Sequence, residues 1–557
     1  MNHLSWRATL PLVLSLTSVA AQAQVVPDSG SILQQINPPL PQAPSPSGTR
    51  LRVEGQGAAD LPAGASFDVK RIVIAGNTVF DTASLHGLVA DAEGRRLDLA
   101  QLGQVAGRIT DYYRSRGYPL ARAIIPAQAV REGTVRIEVI EARYGSVRLD
   151  NRSRASSALM QETLAPLAGG QQVHQPELDR ALLLLGDIPG VVVGATLSPG
   201  SAVGSSDLAV QGDATARVAG HATLDNYGNR YTGEARASAT VSVTNPFGLG
   251  DVFHAGALSS GEGMNYARLG YESVLNSPGT RAGADLHAVR YKLGGSLAGL
   301  QAHGRAEAAS LYLKHPFLRS RDTNLYGQLQ YEAKRLRDRV DAGAVRNDRR
   351  VDDWTVSVSG DWRDALLSAS LGTWSLGWTN GRLRFDDTVA QEADAASART
   401  QGNFSKWNGS FSRAQSLDAA DTLYLAGTLQ WTDENLDSSE KMSVGGPNSV
   451  RAYRLGAVSA DKGYFVTAEL RHVFGAAAGG QWQGVAFVDT AHVTLNRNPW
   501  ASGANSATLT GAGLGAEWFG PQSWRIKASV ASRVGSRPSV LDDNSRTRGW
   551  VEVTKAF

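Results

Sequence analysis

Period-two amphipathic segments fill the last three-fifths of this chain and limit its fold more than any other feature. From Tyr231 to Val243 the odd positions are Tyr231, Gly233, Ala235, Ala237, Ala239, Val241 and Val243. The even positions are Thr232, Glu234, Arg236, Ser238, Thr240 and Ser242. A strand with this pattern puts its small apolar set on one face and every charge on the other. The same alternation returns at Ala216–Leu224, Leu325–Lys334 and Trp524–Val530. Past the first two dozen residues nothing is apolar for long enough to span a bilayer as a helix. Many ten-residue strands with no helices between them are what a closed barrel in lipid requires, since every backbone polar group must there be paired internally. About 345 residues follow Asp213, and ~20–22 residues per strand plus turn predict roughly 16 antiparallel strands. A soluble sandwich would need bulkier Val, Ile and Leu on its buried face than this Ala- and Gly-rich set provides.

Composition agrees. Mean hydropathy is −0.22, with 60 Gly and 15 Tyr in 557 residues. That is far more polar than a helical membrane protein, and it suits a barrel with a wet lumen. The net charge of +3 is spread over interspersed acids and bases, so no nucleic-acid partner is expected. The absence of Cys removes disulfides, thiolate metal sites and a Cys nucleophile. Arg7, the apolar run Ala8–Ala20 and Ala21-Gln22-Ala23 predict an export signal over residues 1–23.

Residues 24–37 contain a short helix capped by Asp28 or Ser29, with Ile32, Leu33 and Ile36 on one face. Residues 38–65 are Pro-, Gly- and Ser-rich and read as a linker. A helix this short on such a tether must dock to be stable. Residues 66–143 follow the order strand (Phe67–Ile74), helix from Asp81, helix from Asp98, strand, strand (Thr134–Ile140). Residues 144–212 repeat that order, which predicts an internal duplication of a small α+β domain before the barrel of residues 213–557.

One connection is unusually long. Residues 433–462 join two good strands, and loops of this length are usually functional. This loop carries Val450-Arg451-Ala452-Tyr453. Arg451 lies among apolar neighbours, which an ordinary solvated loop charge does not. Asp489 lies in the strand Val485–Val493, and period two together with the cost of a carboxylate in lipid turns it and Phe487 inward. An inward loop tip can bring Arg451 to Asp489 as a bidentate pair.

Two small repeats, a barrel and a Val-Arg-Gly-Tyr-like loop resemble the two-partner secretion transporters of the outer membrane, within the barrel-assembly superfamily. Leu224–Gly233 is similar to that family's first hairpin, and Phe487-Val488-Asp489-Thr490-Ala491 to its Phe-x-Asp-x-Gly wall motif. Ala452 and Ala491 depart from the family, which usually has Gly at both places. The resemblance implies two polypeptide-transport-associated (POTRA) domains in the periplasm and a helix plugging the lumen through Ile32, Leu33 and Ile36. It also implies a lock between Arg451 and Asp489 supported by Val450 and Tyr453, and a terminal recognition signal at Phe557. The implied partners are a secreted exoprotein, outer-membrane lipid and the barrel-assembly machinery, with no cofactor.

Enzymatic motifs are missing. No His-Glu-x-x-His, Walker or Gly-x-Ser-x-Gly sequence occurs, and Gly511–Gly515 reads as close-packed wall. The rival functions are a barrel-assembly factor and a passive porin or receptor. A porin has no repeat pair before its barrel, and an autotransporter would need a large passenger.

Overall fold

The computed structural model describes residues 26–36, 50–54, 66–541 and 543–557. The expected export signal and most of the expected linker lie outside these residues. Helix α1 (Ser29–Ile36) begins where Asp28 accepts from the Ser31 amide at 2.9 Å. The segment Arg50–Val53, placed in the linker by its composition, is a strand, β1. The edge of a sheet overrides local composition here, because the strand Val191–Pro199 of the second domain offers unpaired backbone groups that an extended chain can satisfy.

In the first α+β domain the expected strand at 67–74 is two strands, β2 (Phe67–Val69) and β3 (Arg71–Ala75). They part at Lys70, where β2 turns to β4 (Arg95–Leu97) and β3 joins the main sheet. Asp81 caps α2 (Thr82–Gly87), and Asp98 with Gln101 forms a capping box on α3 (Leu99–Ser115). The domain closes with β5 (Arg122–Ile124) and β6 (Thr134–Ile140). Leu102, Val105, Ile109 and Tyr113 of α3 pack on Ile72, Ile74, Val135 and Ile137.

The second domain comprises β7 (Arg143–Asn151), α4 (Ser157–Leu164), α5 (Gln175–Gly186), β8 (Val191–Pro199) and β9 (Ser205–Ala214). Its last strand runs parallel to its first and antiparallel to its second, as in the first domain. The duplication is therefore one of topology. It differs at one edge, where β1 lies parallel against β8 and extends the sheet to β1-β8-β9-β7.

The remaining strands close a sixteen-stranded barrel. They are β10 (Val218–Asp225), β11 (Arg236–Thr244), β12 (Asp251–Ser259), β13 (Met264–Val274), β14 (Arg281–Lys292) and β15 (Ala302–Arg319). Next come β16 (Thr323–Val340), β17 (Val345–Asp364), β18 (Ser370–Phe385), β19 (Gly402–Ser416) and β20 (Asp421–Thr432). After the short pair β21 (Met442–Val444) and β22 (Val458–Ala460) come β23 (Lys462–Ala477), β24 (Gly480–Thr494), β25 (Ser506–Phe519), β26 (Trp524–Arg533) and β27 (Thr547–Ala556). β27 pairs back onto β10 from His221↔Ala556 to Asp225↔Glu552. Beyond this ladder the Phe557 backbone exchanges two hydrogen bonds with Gly220, and its ring lies where a Cβ on Gly220 would stand 2.7 Å away.

The strand expected from Tyr231 is shorter than its alternation predicts. The strand there begins at Arg236, and Tyr231 is a buried residue of the preceding connection, packed in the lumen near α1. Elsewhere period two holds apart from register shifts near Phe317 in β15 and Phe474 in β23. Leu286, Leu311, Trp354 and Val488 face out, while Val289, Ala306, Leu336 and Val351 face the lumen.

Contacts with the second domain orient the barrel. Asp187 grips Arg319 with two bonds of 2.7 and 2.8 Å, and Asp179 meets Arg321 at 2.7 Å. The turns on that side face the small domains, and the long connection 433–461 lies at the opposite end.

Candidate functional site

The long loop folds back into the barrel. β21 and β22 make a hairpin base, and the chain turns at Gly445 and Gly446, whose φ values of +101° and +106° favour glycine. Val444, Val450, Ala452, Tyr453 and Val458 are buried against Phe465, Phe487, Ala491, Val493 and Leu509 of the wall. The loop tip thus has its own apolar core, formed with the lumenal face of β23–β25.

That packing brings Arg451 to Asp489. The guanidinium donates to the carboxylate from Nε at 2.8 Å and from Nη2 at 2.7 Å. The Arg451 amide adds a third bond to the same carboxylate at 3.0 Å. Asp489 is fully buried and also accepts from Thr467 at 2.8 Å. Glu469 takes Nη1 at 2.8 Å, and the guanidinium carbon lies 3.4 Å from the Phe487 ring centre. The Trp550 indole of β27 donates to the Arg451 carbonyl at 2.7 Å. Charge, hydrogen bonds and a ring face all position this one side chain, so its rotamers are restricted before anything passes it.

A second charged centre lies where α1 meets the wall. Arg349 is 2% exposed and bonds three carboxylates: Asp28 before α1 (2.5 Å), Asp338 on β16 (2.7 Å) and Asp437 of the long loop (2.5 Å). Asp338 also accepts from the Ser29 amide at 2.8 Å and the Tyr291 hydroxyl at 2.8 Å. Ile32 and Leu33 are buried among Tyr291, Leu336, Leu383, Phe404 and Leu436, with Ile36 partly buried beside them. Gly30 lets the helix approach the loop, since a Cβ there would stand 2.6 Å from the Ser439 amide nitrogen. Next to it Lys334 and Lys406 hold loop residue Glu440 at 2.7 and 2.8 Å.

The family model described as "Haemolysin secretion/activation protein ShlB/FhaC/HecB" matches residues 204–518, and that of the ShlB-type POTRA domain matches residues 67–142. The chain belongs to the ShlB/FhaC/HecB family. It is an outer-membrane two-partner secretion transporter that exports a partner exoprotein, with its POTRA domains in the periplasm. The family's members are transporters. The heme/hemopexin transporter protein HuxB of Haemophilus influenzae strain KW20 is 27% identical over 99% of this chain and 98% of its own length. The outer membrane transporter CdiB of Escherichia coli strain 536 is 24% identical over 81% of this chain and 76% of its own. The solved CdiB from Escherichia coli superimposes with a TM-score of 0.71 at 20% identity, covering 90% of this chain and 93% of that one. BamA from Haemophilus ducreyi shares the fold with a TM-score of 0.51.

Of Ala452 and Ala491, expected from the resemblance to be glycines, the first has a local explanation. Ala452 has an ordinary negative φ, and its methyl faces Gly511, which has no Cβ to obstruct it. Ala491 is buried in the wall beneath the loop. Gly513 performs the same service for Phe487, whose ring lies 2.6 Å from where a Cβ would be. Sequence reasoning missed Arg349, Asp338, Asp437, Glu469 and Trp550. Arg349 shares the inward parity of Asp353, Thr355 and Ser357, and Arg350 the outward parity of Trp354 and Val356, but parity does not say which groups Arg349 meets across the lumen.

Proposed function

We propose that the transporter rests closed and opens when α1 and the long loop leave the lumen, so that an unfolded exoprotein can thread the barrel. The observation that carries this reading is how the lumen is filled. Its contents are held to the wall by apolar packing and by ion pairs at Arg349 and at Arg451, and the ion pairs can be exchanged one partner at a time. The POTRA domains would collect the cargo first, because a free sheet edge binds an extended chain through its backbone and tolerates its sequence. In the first domain the outer edge of β5 is unpaired among the described residues; in the second, β1 already covers β8.

Export would proceed without catalysis or nucleotide hydrolysis, driven by folding of the cargo outside. The absence of Walker sequences supports this. The cargo is of the adhesin, haemolysin or contact-dependent toxin type. The near full-length similarity to transporters named for heme and hemopexin makes a haem-related exoprotein the first to test. The barrel-assembly machinery would receive β27 with Phe557 as its signal, and outer-membrane lipid would surround the wall. The test is to express this chain with each repeat-rich exoprotein encoded beside it and to measure cargo in the medium per folded barrel. Cargo that leaves the cell equally well without the transporter overturns the reading.

A further inference from the structure

The outward face of the barrel changes character at the end away from the POTRA domains. Along β16, β17, β18, β19 and β20 the lipid-facing residues include Tyr331 beside Trp354, then Trp378 beside Trp407 and Trp407 beside Trp431. Trp354 is 53% exposed and Trp431 47%. Aromatic residues of this kind mark the level where hydrocarbon meets headgroups. Arg335 stands four residues beyond Tyr331, which is about 13 Å further along the strand.

Beyond the aromatic level, guanidinium groups stand in rows across neighbouring strands. Arg290, Arg305 and Arg337 are cross-strand partners in one row, and Arg335, Arg350 and Arg384 in the next. Like charges set directly opposite are destabilising. Nearby carboxylates offset only part of this conflict: Glu307 meets Arg305, Asp386 meets Arg350 and Asp352 meets Arg384, while Asp348 pairs with Arg339 outside the rows. Among the described residues Arg335, Arg337 and Arg382 have no ion pair or hydrogen bond, and Arg335 and Arg382 are exposed. The patch is one-sided. At the same end of β24 and β25 the outward residues are Thr490, His492, Thr494, Thr508 and Thr510.

We propose that the outward ends of β14–β18 bind the phosphorylated headgroup of the outer-leaflet glycolipid, lipopolysaccharide. The location selects a lipid, since these side chains project from the wall just above its aromatic band. The chemistry selects phosphate, because a guanidinium offers paired donors that match phosphate oxygens, and rows of them match a headgroup carrying more than one phosphate. An anion between the rows would also relieve the repulsion that the protein's own carboxylates leave in place. Such a lipid would fix one side of the barrel in the outer leaflet while strands on the other side remain free to move.

The test uses the full-length protein purified in neutral detergent. It is titrated with short-chain lipopolysaccharide, with the same lipid after dephosphorylation, and with inorganic phosphate, while binding and the unfolding temperature of the heat-modifiable barrel are followed. The phosphorylated lipid is expected to bind and to raise that temperature. R335Q/R337Q/R382Q should weaken binding on the order of a hundred-fold, from roughly five-fold per guanidinium at an anionic surface. The lipid-free unfolding temperature should stay level or rise as repulsion falls. If the triple variant fails to fold, R335E alone serves, with binding lowered by the same sign. Equal binding of the dephosphorylated lipid, saturation by inorganic phosphate alone, or wild-type affinity in the variant would each overturn the proposal.

Discussion

Arg451 and Asp489 are worth more to each other than a surface pair, because neither has water to fall back on. In Arg451→Ala a carboxylate would remain buried with its charge unpaired and only Thr467 and the residue-451 amide to satisfy it, a loss of roughly 3–5 kcal/mol for this part of the molecule. We expect that variant to remain a folded barrel, since the wall ladders are untouched, and to lose most secretion. Arg451→Lys should recover little, as one ammonium cannot occupy both carboxylate oxygens, Glu469 and the Phe487 face together. Asp489→Ala should match it, and the double variant should be no worse than either single. Cargo in the medium per barrel in the membrane measures this, and multiplying defects would show that the residues act separately. Arg349 differs in having three carboxylates for one cation. Asp28→Asn therefore leaves the guanidinium satisfied by Asp338 and Asp437 and weakens only the hold on α1. Single-channel recordings should show more frequent open levels for this variant, and an unchanged trace would count against Arg349 holding α1.

At the scale of elements, α1 is too short to be helical alone, so its structure is a consequence of docking. Deleting residues 28–36 should raise conductance in planar bilayers above that of Asp28→Asn, because the lumen then loses the helix and not merely a contact. Unchanged conductance would argue against α1 as the plug. The junction of the two POTRA domains depends on Glu141, which accepts from the Thr78 and Val79 amides at 2.7 and 2.8 Å, from Tyr113 at 2.8 Å and from Gln172 of the second domain at 3.1 Å. Partial burial pushes its carboxyl up, but the donors from Thr78, Val79 and Tyr113 outweigh that and hold it below the ordinary carboxylate range. A depressed folded-state pKa means that the junction has its full strength above the unfolded value of about 4.5 and loses it as pH falls through the lower folded value. Hydrogen exchange at the junction, corrected for intrinsic rate, should therefore rise on acidification, and Glu141→Gln should raise it already at neutral pH. A variant whose junction keeps the wild-type pH response would rule out Glu141 as its cause.

For the molecule as a whole, capture, passage and membrane anchoring fall to different parts. Removing residues 67–143 should leave a heat-modifiable barrel, because its strands close on one another into a complete ladder. Secretion should be abolished, and normal secretion without this domain would end its role in capture.

Much of this architecture was legible in the chain. Period-two alternation, with no apolar helix to span the bilayer, implied a barrel, because in lipid the backbone has few ways to satisfy itself. The Val450–Tyr453 loop and the inward parity of Asp489 were enough to name two residues that the fold does bring together, 38 positions apart. Other features depended on contacts between distant segments. Residues 50–53 are a strand because β8 has an edge to fill. Tyr231 leaves the strand pattern because the lumen near α1 offers it burial. Arg349 is a hub because a segment more than 300 residues earlier and a loop nearly 90 residues later meet it at one point on the wall. Periodicity reports which face a residue is on; what it touches across the lumen is set by closure of the barrel, which no local window of sequence contains.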